Sequence, residues 1–221
     1  MRKKNKNTYL NFLNYFKKID YKFVDFRKYK SKKNIILRHD IDFSLKYALK
    51  IAEINTINKL KSHFFVLVDS PFYNLLEEEN IKILNKINKL GHIIGLHYNP
   101  SSLDFKAQFE ILKKICPGTQ KIFSIHKFGT NKQILKYREF TNLYDKKFFG
   151  KYFADSGGKF RFGSPIEDKE IIKEKVSFQL NLHPIWWFNK NLKQKEIFKY
   201  LIKEGNFNQL VSLSNYKLIK L

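Results

Sequence analysis

The 221-residue chain contains a single cysteine, Cys116. No intramolecular disulfide framework is available, and the cysteine does not dictate a redox compartment. Cys116 closes a helical pattern just before Pro117-Gly118, a place suited to core or helix end. Long apolar runs are missing too: none approaches the roughly 18 residues of a membrane-spanning helix. The first twenty positions, Met1 to Asp20, are basic, with Tyr9, Leu10, Phe12, Leu13 and Phe16 set among polar residues. That is an amphipathic pattern and not the continuous apolar region and small-residue cleavage site of a secretory leader. The expectation is a cytoplasmic protein, with peripheral contact at the inner face of the membrane left open. Acidic residues are scarce, 20 Asp and Glu against 43 Lys and Arg, giving a formal net charge of +23. Such an imbalance ordinarily points to nucleic acid or an anionic surface. Here the lysines are spread along the whole chain with many Asn, Ile, Phe and Tyr, the mixture an AT-rich genome imposes. No Cys/His finger spacing and no aromatic-plus-basic RNA motif accompanies them, so no nucleic-acid partner is expected. Internal repeats and low-complexity linkers are absent as well.

What is present is 43% hydrophobic and 16% aromatic residues, enough for a substantial globular core. The organising stretch is Ile35-Ile36-Leu37-Arg38-His39-Asp40-Ile41-Asp42, a strand-type run ending in two carboxylates. Residues two apart share a face of a strand, so Asp40 and Asp42 point the same way. Their repulsion calls for a cation between them or a retained proton. Downstream, Ser44 is placed as the N-cap of a helix running to about Leu60, and 62–68 is an apolar strand. Residues 77–90 are helical, stopped by Gly91, and 92–96 is a strand ending at His97. Residues 103–115 repeat the helix, and 121–125 form a strand ending at His126. Tyr21 to Lys33 reads as a lysine-rich connector, 152–155 as a short strand entering a glycine turn, and 176–182 as an alternating strand before His183. Residues 192–204 suit a final helix. Strands alternating with helices imply βαβ units and a parallel sheet, open or barrel-like. Asp40, Asp42, His97 and His126 all fall at carboxyl ends of strands, the edge where such sheets bind ligands.

One carboxylate and two imidazoles, Asp42, His97 and His126, form a candidate site for Zn²⁺, with Co²⁺, Ni²⁺ or Fe²⁺ as alternatives. The competing reading is that each histidine is a hydrogen-bonded loop residue. Asp40 is either the base beside the metal or a structural partner of Arg38. His183 is the candidate general acid or a satisfied core histidine, with Asp155 placed to orient it. His39, His63 and His92 are read as structural. Trp186 and Trp187 either stack on a sugar or belong to the core. Arg161 binds an anionic group or pairs with Asp155.

The ordered set Arg38-His39-Asp40-Ile41-Asp42, Gly91-His92-Ile93-Ile94-Gly95-Leu96-His97, Ser124-Ile125-His126-Lys127, Asp155-Ser156-Gly157 and Leu180-Asn181-Leu182-His183-Pro184 resembles the polysaccharide deacetylases, the NodB-like proteins of carbohydrate esterase family 4. The resemblance implies a single-domain α/β fold, a distorted (β/α) barrel of about seven strands. Residues 1–33 would be an N-terminal helix and connector, 34–187 the motif-bearing core, and 188–221 a C-terminal helix and tail. It also implies one divalent metal and hydrolysis of an N-acetyl group from an amino sugar that is nucleotide-, lipid- or glycan-linked. Asp40 would be the base, Asp42 and His97 metal ligands, and His183 the acid, with backbone amides near Tyr98 stabilising the oxyanion. Arg161 and Trp187 are assigned to substrate support. The family's His-x-x-x-His pattern places a second histidine ligand where this chain has Ser101; His126, on the next strand, is expected to replace it.

Overall fold

The computed structural model describes residues 6–127, 137–188 and 192–203. The amphipathic start of the chain forms helix α1 (Lys6–Lys18), which buries Tyr9, Leu13 and Phe16. The lysine-rich connector is not featureless: it carries a short strand β1 (Lys22–Phe23) paired in parallel with the start of β2, then a 3-10 turn at Phe26–Lys28. Strand β2 (Asn34–Ile41) is buried along its whole length. Then come α2 (Leu45–Ile57), β3 (His63–Val66), α3 (Glu78–Lys89), β4 (Ile93–Tyr98), α4 (Phe105–Ile115) and β5 (Ile122–Ile125). Short elements follow: β6 (Thr141–Asn142), α5 (Lys146–Phe149), β7 (Tyr152–Ala154), β8 (Phe178–Asn181) and α6 (Pro184–Phe188). Residues 194–203 are helical; the tail from Asn206 and the first five residues lie outside the described residues.

Element ends follow local chemistry. Helix α2 stops short of Leu60 because Lys59 turns left-handed at φ 54°. Leu60 N–H then bonds to Asn55 O and Lys59 N–H to Thr56 O, the closing pattern that satisfies the last carbonyls of a helix. Gly91, at φ 85°, ends α3 as its position suggests. Cys116 is buried at the C-cap of α4.

Seven strands run parallel in the order β6-β5-β4-β3-β2-β8-β7, with β1 beside β2. The sheet curls into a half-barrel, because residues near its two ends meet across the interior. Gln179 on β8 donates to Leu143 O, just past β6, at 2.9 Å, and Ile36, Phe65, Ile93, Ile122, Leu143 and Phe148 form one enclosed apolar cluster with Phe26. Gly95 makes that interior possible: a Cβ there would meet Ile122 O at 2.7 Å and Phe65 Cε1 at 2.8 Å. The opposite faces of the strands pack against the helices in a larger apolar core. The distorted (β/α) barrel expected of the sequence is what the chain forms.

Candidate active site

Strand periodicity builds the site. Ile36, Arg38 and Asp40 on β2, and Asp42 just past its end, share the barrel-interior face, climbing from the apolar cluster towards the carboxyl edge. The alternate residue His39 faces the helices: its Nδ1 lies 2.8 Å from Leu182 O and its Nε2 3.2 Å from Tyr9 Oη. Arg38 is fully buried and bonds Asp40 in a fork, Nε to Oδ1 and Nη2 to Oδ2, both at 2.7 Å. Its remaining donors reach Gln179 Oε1 at 2.9 Å and Tyr144 Oη at 3.0 Å. Asn181 Nδ2 adds a 2.9 Å bond to Asp40 Oδ2. Burial alone would raise the Asp40 carboxyl; the guanidinium beside it outweighs burial and holds it down at about 2. The two readings of Asp40 therefore converge: it is Arg38's partner and also an ionised carboxylate facing the site.

Asp42 sits one step beyond, its backbone pinned by Ser70 Oγ donating to Asp42 O at 2.7 Å and Tyr73 Oη donating to Ile41 O at 2.8 Å. His97 is the penultimate residue of β4 and His126 follows β5. One ligand atom from each of Asp42, His97 and His126 converges: His97 Nε2 is 3.3 Å and His126 Nδ1 3.7 Å from Asp42 Oδ1, and the two nitrogens are 3.2 Å apart. Tetrahedral ligands about 2.0–2.1 Å from a common ion sit roughly 3.3 Å apart, so these three atoms already span nearly one face of such a tetrahedron. Burial would raise the Asp42 carboxyl, yet contacts with His126 and His97 keep it well below the usual range. Even so, Asp42 Oδ1 is buried with no hydrogen-bond partner in line among the described residues. A charged oxygen left in that state beside two imidazole nitrogens fits a cation, and the one-carboxylate, two-imidazole set suits a zinc-type ion. Ser124 completes the fit. Its hydroxyl reaches towards Asp40 Oδ1 (3.5 Å), so it accepts from His97 Nδ1 at 2.8 Å. That places the ring proton on Nδ1 and leaves the Nε2 lone pair free, the role outer hydrogen bonds play at metal-binding histidines.

His183 follows β8 and is buried. Both its backbone N–H (2.8 Å) and its Nδ1 (2.7 Å) bond Asp155 Oδ1, while Trp187 Nε1 takes Asp155 Oδ2 at 2.7 Å. Its Nε2 lies 3.6 Å from Asp42 Oδ2. Burial opposes a charged imidazole, but Asp155, with Asp42 and Asp40 behind it, raises His183 to about 9. At neutral pH it carries a proton aimed at the site.

Tyr98 and Trp187 are placed differently, and Arg161 and Ser101 lie at the surface. Tyr98 faces away from the site and packs its ring edge-to-face on Phe105 and Tyr137; its backbone O accepts from His126 N at 2.8 Å. Trp187 is buried against Tyr9 and Phe12, so it steadies Asp155 and does not offer a sugar platform. Arg161 is exposed beside Gly157, while both oxygens of Asp155 are bonded to His183 and Trp187. Ser101 is exposed in a turn, its N–H on Asn99 Oδ1, remote in role from the ligands. The residues that sequence reading left without a role are Ser124, Gln179 and Asn181. Each stands on a strand at an even spacing from another site residue, which is the signal that finds them. His63 and His92 are structural: His63 Nδ1 lies 3.0 Å from Leu37 O, and His92 Nδ1 2.9 Å from Ser62 Oγ.

No protein-family model matches the chain, and no curated protein does. Solved structures with a similar path include a Bdellovibrio bacteriovorus peptidoglycan deacetylase, at 14% identity and TM-score 0.47, covering 84% of this chain. The chain spans 58% of that protein's length. A carbohydrate esterase family 4 pseudoenzyme from Bacillus anthracis gives 15% and 0.44, covering 79% of this chain and 62% of its own. A chitin deacetylase from Colletotrichum lindemuthianum gives 15% and 0.41, covering 77% of this chain and 81% of its own. These are likenesses of chain path. Both deacetylases and a pseudoenzyme are represented, and likeness of this degree says nothing of which this chain is.

Proposed function

We propose that this protein is a divergent polysaccharide-deacetylase relative, a metal-dependent hydrolase that removes the N-acetyl group of an amino sugar. The observation that carries the reading is the convergence of Asp42, His97 and His126, flanked by the Asp40 carboxylate and the His183 imidazole. Asp42 Oδ1, His97 Nε2 and His126 Nδ1 would hold the ion, with His126 standing in for the histidine absent at Ser101. A bound divalent cation supplies Lewis-acid polarisation of an amide carbonyl and acidifies water.

The chain's own groups do the rest. Arg38 and Asn181 fix Asp40 so that its Oδ2, 3.8 Å from His97 Nε2, can accept a proton from a water entering between them. A carboxylate held this low is a weak base and suits a water that is already acidified. Asn181 Oδ1, buried without a partner among the described residues, offers that water or a substrate N–H an acceptor. His183, fixed through Nδ1, presents Nε2–H to the departing amine, and Asp155 sustains the proton until it is transferred. The substrate class proposed is an acetamido sugar on a glycan precursor.

The same fold without turnover, serving as a carbohydrate-binding or scaffolding protein, is favoured by one feature: Asp40 is so heavily neutralised by Arg38. The two readings separate on metal content of the purified chain together with acetate release from N-acetylated sugars. We expect about one divalent ion per chain, and a loss of at least roughly 100-fold in kcat for Asp40→Asn and for His183→Ala. Full activity in either variant would remove the assigned roles, and metal without turnover would favour the scaffold.

A further inference from the structure

A cavity of about 670 Å³ is lined by residues of the 155–160 turn, α6 and the 192–197 segment, Asp155 among them. Trp186 and Trp187 both line it, and they are the chain's two tryptophans. Gly157 and Gly158, at φ 68° and 77°, take backbone conformations that disfavour side chains. A Cβ on Gly158 would sit 3.5 Å from Trp186 Cδ2, so its glycine identity keeps that indole face clear. Trp186 is only 7% exposed, and its Nε1–H has no hydrogen-bond partner among the described residues. The rest of the lining supplies charge of one sign. Lys159, Lys193 and Lys195 line the cavity, are exposed, and make no ion pair among the described residues. The acidic lining residue, Asp155, has its oxygens taken by His183 and Trp187. Gln194 closes one side through a bond from its amide to Gly157 O.

We infer that this cavity binds a phosphate-bearing group, the lysines meeting the oxyanions and the Trp186 ring supplying a flat apolar floor. The inference rests on the proposed deacetylase reading only for its consequence: the substrate sugar would carry a diphosphate, because Asp155, which holds the His183 imidazole, also lines the cavity. The linked moiety could be a nucleoside or a lipid, and both present the same diphosphate.

Because both tryptophans line the cavity, intrinsic fluorescence reports its occupancy without a tryptophan background from elsewhere. The experiment titrates the full chain, with chelator present, with pyrophosphate, a nucleoside diphosphate and a short prenyl diphosphate. We expect a saturable fluorescence change with pyrophosphate, weakened at least tenfold in the Lys193→Ala/Lys195→Ala double variant. A control pair at the far end of the barrel, Lys28→Ala/Lys30→Ala, should leave it unchanged. Tighter binding of the nucleotide or of the prenyl compound identifies the linked moiety. No saturable change, or equal weakening by both lysine pairs, would overturn the inference and leave general attraction to a basic protein. None of these readouts needs turnover or metal, so a chain that binds pyrophosphate but releases no acetate would refute the deacetylase reading and not this one.

Discussion

The substitution Asp155→Asn tests the electrostatic design of the site by exchanging one carboxylate oxygen for an amide nitrogen. Asp155 accepts three hydrogen bonds, from His183 N, His183 Nδ1 and Trp187 Nε1, and is the main reason His183 rises from 6.5 to about 9. A group whose folded value lies above its unfolded one adds stability fully below the unfolded value and loses it as pH climbs through the folded one. For His183 that contribution is complete below pH 6.5 and gone above about 9. The interval corresponds to about 3 kcal/mol. The carboxamide oxygen of the variant can still accept from His183, but its NH₂ must face Trp187 Nε1–H, donor against donor. Leaving that indole unsatisfied costs about 1–3 kcal/mol at any pH. The expected loss in urea unfolding, with chelator present, is therefore about 4–6 kcal/mol near pH ~6 and only about 1–3 near pH ~9.5. Equal losses at the two pH values would refute a protonated His183 sustained by Asp155.

Two further outcomes follow from the interior hydrogen bonds. Ser124→Ala removes the acceptor that fixes the His97 tautomer and should weaken zinc or cobalt binding by about 10–100-fold, read by competition with a chromophoric chelator, with little change in fold. Arg38→Met leaves Asp40 buried without its cation and should cost about 3–5 kcal/mol in denaturant unfolding, whereas adding Asp40→Asn to it should recover part of that loss.

Much of this architecture can be read from alternation alone. Strand and helix order follows from short apolar runs alternating with patterns of period 3.6, the carboxyl-edge placement of Asp40, Asp42, His97 and His126 from where those runs end, and the structural role of His39 from a period of two. The same rule reaches further than end-of-strand residues. Arg38 with Asp40, Ser124 with His126, and Gln179 and Asn181 with His183 each share an interior face, so the supporting residues are found by counting back by two. It also turns Tyr98 outward, because His97 points in. Sheet curvature was not legible. Closure depends on contacts such as Gln179 with Leu143, between residues far apart in the chain, and no local pattern encodes them. The fate of Trp187 was equally hidden, since an indole is as good a core residue as a sugar platform and only α1 packing on it decides.

The position of β2 between β3 and β8 has a kinetic consequence. Its partnership with β3 closes a short loop, but its partnership with β8 joins residues as distant as His39 and Leu182, 143 apart in the chain. Loop-closure entropy favours the near pairing first and makes the distant one slow. Asp42, His97 and His126 come from the early, local part of the sheet, whereas Asn181 and His183 arrive only when β8 docks. During refolding, cation binding should therefore appear before the His183 environment does, making the metal ligands and the proton donor successive markers on one folding path.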